Sequence, residues 1–406
     1  MLTSVSTARP ALPRALRPVY AFGACWMGVP VMPVYVPFLL GRGLGTVDVL
    51  DLQAIHGIAV TVMEIPTGTI CDWLGRRRTL VLGAICNVLG LCGFAIAHDF
   101  ASYAAVQLLL AAGWSLVSGA DVSLIYDVLD AASADRDARR RALAAYATAQ
   151  VVGEAVASCL GGAVAALSLR AVGWLTAAGA LLPLGIAAFL LPDGARRTAS
   201  ASATLAAIPG AARTVFADRT TALLFANAVV WGLSTFVAVW LLQPYWTASH
   251  VGLGAFGPLW AGTLLTVAIV SRAAPILVRR VGDRACLLLL AALPVGAYAA
   301  MAAFSGLPGV AAGFGFYVSR GLNAVVLREA LNHRIPSPLR ATFNSLSSGT
   351  SRLGFAILGP VIGLLVAGPG LRSALAALAA LFGIAFLVLA LPLVRRPPRD
   401  REARGA

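Results

Sequence analysis

The sequence contains no lysine, and all 31 of its basic residues are arginine. A Walker-type phosphate loop and a Schiff base both need a lysine side chain. The chain can therefore perform neither ATP chemistry at such a loop nor imine catalysis.

Charged residues of any kind are scarce. Only 12% of the 406 residues are charged, 59% are hydrophobic, and the mean hydropathy is +0.84. A soluble domain could not bury this much apolar surface, so the composition predicts an all-α protein that crosses a lipid bilayer many times. The net charge of +14 comes from arginines between apolar segments, where it sets membrane topology, so we expect no nucleic-acid partner.

Histidine and cysteine are also few. The four histidines are too scattered for a metal site, and the six cysteines lie in or beside apolar segments as small hydrophobic residues. The sequence has no His-Glu-x-x-His or Gly-x-Ser-x-Gly motif. We therefore predict no metal, no cofactor and no enzymatic activity. His56, inside an apolar segment, is either a proton carrier or a hydrogen-bonded packing residue.

Apolar segments of about 20 residues, the length of a membrane-spanning helix, recur along the whole chain. We predict twelve helices, the first an uncleaved span, with these approximate limits: 18–40, 48–71, 79–97, 101–129, 142–167, 171–191, 220–246, 255–278, 285–304, 308–332, 341–367 and 371–394. The arginines agree with this count, because, of those that lie outside the predicted spans, the loops and ends of one side carry all except Arg42, Arg170 and Arg372. Arginine-rich loops stay in the cytoplasm, so both termini are predicted to be cytoplasmic.

The two halves of the chain resemble each other. Residues 119–130 align without a gap with residues 321–332. Such internal repeats are typical of transporters, in which two similar bundles move about a central site. We predict three parts: an N-terminal six-helix bundle at 1–191, a cytoplasmic linker at 192–219, and a C-terminal six-helix bundle with a short basic tail at 220–406.

A short basic link joins the second and third spans. It contains Gly68, Asp72, Gly75, Arg76 and Arg77 at the spacing Gly-x-x-x-Asp-x-x-Gly-Arg-Arg. Gly75 allows the backbone to reverse, and the arginines hold the link at the anionic membrane face. The pattern resembles the loop between helices two and three of the major facilitator superfamily of transporters.

The resemblance implies two pseudo-symmetric six-helix bundles and secondary active transport without a cofactor. It also implies a gate, in which Asp72 faces the start of helix eleven and Arg76 pairs with Asp127 at the end of helix four. Trp73 departs from the family pattern, which has a basic residue there. We expect a monomer in the bacterial inner membrane.

The fifth helix contains Gly153-x-x-x-Ala157-Ser158-x-x-Gly161-Gly162. This stretch is similar to the antiporter motif of the same superfamily, with its central Gly-Pro replaced. Small residues at this spacing also serve ordinary close packing of helices, and both interpretations stay open. Leu109 stands where many proton antiporters carry an arginine, so a conventional drug–proton antiport mechanism is in doubt.

Several predicted spans contain ionisable residues, each of which costs at least about 2.5 kcal/mol to insert into a membrane. The internal repeat suggests the ion pairs Glu64–Arg352 and Glu154–Arg272, since the resemblance implies that helices two and five face helices eleven and eight. These pairs would latch the halves at the cytoplasmic side, break or become hydrated when that side opens, and couple transport to protons through either acid. Alternatively, they are static pairs that only make the charges tolerable.

A candidate substrate cavity involves residues near the middle of several spans. Arg320 and Asn323 lie in helix ten, and Asp121 lies at the related level of helix four. Either Arg320 binds an anionic group of the substrate and Asp121 a cationic one, or the two residues pair with each other. Asn227 and Trp231 in helix seven are further candidates for the cavity wall.

The stretches Glu64-Ile-Pro-Thr-Gly68, Tyr126-Asp127 and Gln243-Pro-Tyr245 resemble those of bacterial members of the superfamily that are described as drug or metabolite exporters. This resemblance implies proton-coupled efflux of drugs or metabolites, with a small-molecule substrate and protons as the coupling ion. The alternative is a proton-coupled importer of a small polar or anionic solute, for which Arg320 is the best argument. A more distant alternative is a membrane scaffold or sensor that transports nothing, but such a protein would not need opposite charges at symmetric sites.

Overall fold

The computed structural model describes residues 14–193, 210, 213, 218–336 and 339–395, and within these residues all regular structure is helical. Eleven of the described helical segments are long and apolar enough to cross a membrane, and one of them, Leu253–Ala303, is broken at Gly282. The described chain thus has twelve spans, as predicted, and is a multi-pass membrane protein. The predicted basic tail and most of the predicted linker 192–219 lie outside the described residues.

We number the spans α1 to α12. Their limits are α1 Leu16–Leu40, α2 Thr46–Leu74, α3 Arg76–Ile96, α4 Phe100–Ala131, α5 Arg136–Ala165, α6 Leu169–Phe189, α7 Arg219–Ala248, α8 253–281, α9 283–303, α10 Leu307–Arg334, α11 Arg340–Ala367 and α12 Leu371–Arg395. Spans α1–α6 form one half of the molecule and α7–α12 the other. The halves meet where α2 packs along α11 and α5 along α8, as the resemblance implied.

Five spans contain an interruption. The helical pieces are Leu16–Met27, Met32–Val34 and Tyr35–Leu40 in α1; Phe100–Val117 and Ala120–Ala131 in α4; Leu169–Gly179 and Leu181–Phe189 in α6; Leu307–Asn323 and Val326–Arg334 in α10; and Leu371–Ala385, Phe386–Ala390 and Leu391–Arg395 in α12. Pro30 and Pro33 break α1, because proline lacks the N–H that a continuous helix needs. Gly119, with φ 85°, breaks α4, which the sequence predicted as one helix.

The same tight turn occurs once in each half. Gly75 joins α2 to α3 with φ/ψ of 85°/157°, and Gly282 joins α8 to α9 with 84°/160°. A positive φ of this size strains any residue that has a β-carbon, so both turns need glycine. Below, the end of the molecule that holds Gly75 is called the hairpin face and the other end the opposite face.

Asp218 fixes the start of α7, outside the spans. Its carboxylate accepts hydrogen bonds from the hydroxyl and the backbone N–H of Thr221 and lies 3.4 Å from the guanidinium of Arg334 at the end of α10. The bonds from Thr221, with a smaller contribution from Arg334, hold the pKa of Asp218 below its usual value. The charged carboxylate thus ties α7 to α10 at the hairpin face.

The glycines of α5 let this helix lie directly against its neighbours. A β-carbon at Gly153 or Gly161 would overlap the carbonyl oxygens of Ala24 and Pro30 in α1. One at Gly162 would lie 2.6 Å from the backbone nitrogen of Gly257 in α8. The motif that resembles an antiporter signature therefore packs α5 between α1 and α8.

Replacing Gly161 by alanine is expected to destabilise the fold, because the new β-carbon has no room beside the Pro30 carbonyl. We expect a lower unfolding temperature and a smaller monodisperse fraction in gel filtration of the purified protein. Gly185→Ala in α6 is the matched control, since no atom lies within 4 Å of its β-carbon position and alanine favours a helix. Equal stability of the two variants would contradict the close packing of α5.

Candidate functional site

A cavity of about 720 Å³ lies between the two halves. Helices α1 to α5 form its wall on one side, and α7, α8, α10 and α11 form the wall on the other. At the hairpin face its lining reaches Arg328 and Leu331 near the end of α10 and Phe343 and Asn344 in the first turn of α11. The cavity therefore opens toward the hairpin face.

Contacts between α1 and α7 close the cavity toward the opposite face. The side-chain amide of Gln243 accepts a hydrogen bond from the Val36 N–H (2.8 Å) and donates one to the Met32 carbonyl (2.9 Å). These are the two groups that an uninterrupted α-helix would join directly. Beside them, the rings of Tyr35 and Trp240 meet edge to face with centroids 5.4 Å apart. We call these five residues the α1–α7 seal.

Two further helix pairs are closely packed at the same end. A β-carbon at Gly257 of α8 would overlap the Ser158 carbonyl oxygen of α5. A β-carbon at Gly363 of α11 would lie 3.0 Å from the Cα atom of Val47 in α2. Because backbones approach this closely, the halves are in direct contact across the whole opposite face.

Glu64 and Arg352 form an ion pair between the halves, with Arg352 Nη1 2.7 Å from Glu64 Oε1. Their side chains are 25% and 22% exposed, and Arg352 lines the cavity. The pair exists while the cavity is open toward the hairpin face. Of the two expected effects of opening, separation has not occurred, whereas the partial exposure of both side chains agrees with hydration, and the pair joins α2 to α11 in this conformation.

Glu154 does not pair with Arg272 among the described residues. Its carboxylate accepts a hydrogen bond from the Trp260 indole N–H (3.1 Å) and has Arg320 as its nearest cation. Arg272 lies twelve residues beyond Trp260 in α8, which is about 18 Å along a helix axis. The second predicted ion pair is therefore absent, because the two residues lie at different depths of the α5–α8 interface.

Arg320 lies in the cavity wall with its guanidinium exposed to the cavity. Within the described part of the chain this guanidinium makes no hydrogen bond or ion pair. Asn323 also lines the cavity and donates a hydrogen bond to the Ala228 carbonyl of α7 (3.3 Å). The structure thus brings together Arg320, Asn323, Glu154 and Arg352 from the predicted set.

Three predicted cavity residues lie elsewhere and need correction. Asp121 accepts hydrogen bonds from the Tyr146 hydroxyl (2.5 Å) and the Val122 N–H (2.7 Å), so it is satisfied inside the first half and does not pair with Arg320. Trp231 donates to Asn227 (2.8 Å), whose amide donates to the Leu389 carbonyl of α12 (3.1 Å). Asn227 and Trp231 therefore point away from the face of α7 that lines the cavity.

The predicted gate residues lie together at the hairpin face. Arg76 Nη1 is 3.3 Å from Asp72 Oδ1, and Arg76 Nε is 3.9 Å from Asp127 Oδ2. Among the side chains that the structure describes, Asp72 pairs with Arg76 of its own hairpin. A β-carbon at Gly68 would meet no atom within 4 Å, so no neighbouring helix approaches it in this conformation.

Arg77 anchors the other side of the hairpin. It donates hydrogen bonds to the carbonyl oxygens of Ala187 (3.4 Å) and Ala188 (2.6 Å) and pairs with Asp193 (3.1 Å). The carbonyls near the end of a helix lack partners within it, so the guanidinium caps the end of α6. The hairpin is thus fixed to its own half.

Polar residues deep in the cavity were not predicted as site residues. The Tyr35 hydroxyl accepts hydrogen bonds from the amides of Gln53 (2.8 Å) and Gln107 (2.5 Å), and all three residues line the cavity. His56 lines it too, and its Nδ1 has no hydrogen-bond partner in the described chain. One group of polar cavity residues could have been predicted from spacing alone. Asn344, Ser348 and Arg352 recur every four residues along α11.

Two six-helix halves around a cavity that is open at one end form one of the folds found among secondary transporters. The chain is therefore an all-α membrane protein with the twelve-helix fold of major facilitator-type transporters. No protein-family model matches its sequence, and no curated protein does.

Solved structures with this fold share little sequence with the chain. The nucleoside transporter NupG has a TM-score of 0.70 and 14% identity, covering 93% of this chain and 97% of that chain. A POT family transporter in complex with 5-aminolevulinic acid has a TM-score of 0.71 and 12% identity, covering 94% and 96%. Both neighbours are transporters, and at this level of identity the likeness shows that the chain shares their fold.

Replacing Gln243 by leucine is expected to loosen the α1–α7 seal, because Val36 and Met32 lose their partner. We expect amide hydrogen exchange in the peptide that contains Val36 to quicken by roughly tenfold, the effect of one lost hydrogen bond to a buried group. Thr247→Val is the control, since its hydroxyl bonds within α7 to the Gln243 carbonyl. Unchanged exchange at Val36 would show that the amide does not hold the seal.

Proposed function

We propose that the chain is a secondary active transporter that moves a small molecule across the membrane by alternating access. The observation that carries this proposal is the cavity between the halves, closed at one end by the α1–α7 seal and open at the other. A second conformation, with the seal open and the hairpin face closed, would expose the same cavity to the other side. The transporter neighbours of the same fold support the proposal.

In this proposal the hairpin face is cytoplasmic, because the loops of that side carry most of the arginines. The chain then acts as a monomer in a bacterial inner membrane, with both termini inside. Asp72, Arg76 and Asp127 belong to the gate that closes there. In the closed form Asp72 would move from Arg76 toward the start of α11, where the helix dipole favours an anion.

Protons are the proposed coupling ion, and Glu154 is the proposed carrier. The cavity connects its carboxylate to the hairpin face, and Trp260, Tyr317 and Arg320 surround it. Protonation removes the negative charge opposite Arg320. The protonated and deprotonated forms therefore differ in the charge that the cavity presents to a substrate.

The resemblance to bacterial exporters favours export of drugs or metabolites as the direction of transport. Uptake of an anionic solute is the second candidate, and it is favoured by Arg320, whose guanidinium has no hydrogen bond or ion pair within the described residues. Both directions use the same cavity and the same proton carrier.

Cells that lack their own exporters and express the chain should accumulate less or more of a dye from a panel of cationic and anionic dyes. The change should disappear with a protonophore, with Asp72→Asn, which disables the gate, and with Glu154→Gln, which cannot release a proton. Expression of each variant is checked by immunoblot of the membranes. If dye accumulation still changes in cells that express Glu154→Gln, this residue is not the proton carrier. If the native chain changes the accumulation of no dye, broad drug transport is contradicted.

The Glu64–Arg352 pair is expected to be needed for transport. Glu64→Arg or Arg352→Glu alone places like charges together, which should lower the unfolding temperature and reduce transport. The double variant restores an ion pair with reversed polarity, so we expect partial recovery and a coupling free energy of roughly 0.5–3 kcal/mol in unfolding measurements. Strictly additive effects would mean that the pair contributes nothing.

A further inference from the structure

The cavity has two walls of different chemistry. The wall from α10 and α11 carries Arg320, Asn323, Arg328 and Arg352, together with serines at 347, 348 and 351. The wall from α1, α3 and α4 is mainly apolar and carries these large side chains: Trp26, Met27, Leu91, Phe94, Leu110 and Trp114. A solute that contacts both walls must itself have a polar and an apolar end.

The net charge of the polar wall indicates which charge a bound solute should carry. Arg352 is neutralised by Glu64, and Glu154 is the only acid that lines the cavity among the described residues. Arg320 and Arg328 therefore exceed the remaining acid by one positive charge. This excess positive charge would repel a cationic solute, whereas an anionic solute would neutralise it.

Arg320 is the residue that an anion would reach. It lies eight residues before Arg328, in the piece of α10 that is farther from the hairpin face, and both residues line the cavity. Both side chains are exposed, and the guanidinium of Arg320 has no hydrogen bond or ion pair within the described chain. When the hairpin face closes over the cavity, an unpaired guanidinium would lose water, which is costly unless an anion replaces it.

We infer that the substrate is an amphipathic organic anion, with its anionic group on Arg320 and its apolar body against Trp26, Leu110 and Trp114. This inference rests on the proposed function, because it names the substrate class of the same cavity. A carboxylate, sulfonate or phosphate ester could each accept the two parallel hydrogen bonds that a guanidinium offers.

Three probes with one aromatic body test the inference: 2-naphthoate, 2-naphthylmethylammonium and 2-naphthalenemethanol. Binding to the purified full chain in phosphatidylcholine nanodiscs is measured by calorimetry and by thermal stabilisation, with empty nanodiscs as the blank. We expect saturable binding of naphthoate at least about tenfold tighter than that of the other two, the effect of one charged hydrogen bond. Tighter binding of the ammonium compound, or no saturable binding of any probe to a cooperatively unfolding chain, would overturn the inference.

Variants separate the two ends of the solute. Arg320→Gln should weaken naphthoate to the level of the alcohol, whereas Arg372→Gln, an exposed arginine at the start of α12, should change nothing. Trp114→Ala should weaken all three probes, and Trp174→Ala, an exposed tryptophan outside the cavity, should weaken none. Full naphthoate affinity in Arg320→Gln would exclude this arginine as the anion site.

Different results would contradict the proposed function and this inference. Tight naphthoate binding with no transport in energised proteoliposomes would leave the ligand class standing and contradict transport. Proton-driven movement of cationic dyes, with no binding of naphthoate, would support transport and overturn the ligand class.

Discussion

The two hydrogen bonds of Gln243 satisfy the interrupted first helix and also help to close the cavity at the opposite face. A membrane offers no water to an interrupted helix, so the freed groups of Met32 and Val36 need partners inside the protein. Gln243 provides both partners from the other half. The same side-chain amide therefore satisfies the interrupted segment of α1 and joins it to α7 at the opposite face. Opening that face must replace both bonds, with water or with the direct helical bond between Met32 and Val36.

The number of spans and the hairpin at Gly75 could be predicted from the sequence, because both depend on local composition. Long apolar segments alternate with arginine-rich loops, and the recurrence of Gly75 at Gly282 follows from the internal repeat. The interruptions of the spans were harder to predict. Proline marks the one in α1, but Gly119 in α4 resembles the many glycines that lie within intact helices.

The site was predicted only in part, since sequence identifies which side chains are polar but not the direction in which each helix presents them. Arg320 and Arg352 line the cavity, where a costly charge finds water or a partner. Asp121 is equally costly, yet Tyr146 satisfies it within one half. The predicted pair of Glu154 with Arg272 failed for a different reason. The repeat indicates which helices face each other, but it does not give the distance between their side chains in a given conformation.

The two walls of the cavity belong to different halves of the molecule, which has a mechanical consequence for the proposed alternating access. In that proposal the apolar wall moves with the first half and the α10–α11 wall with the second, so any ligand that touches both is a removable cross-link between them. Its length then limits how far the halves can rotate while it stays bound. A ligand too short to span the gap would leave the halves uncoupled, and one too long would wedge them apart.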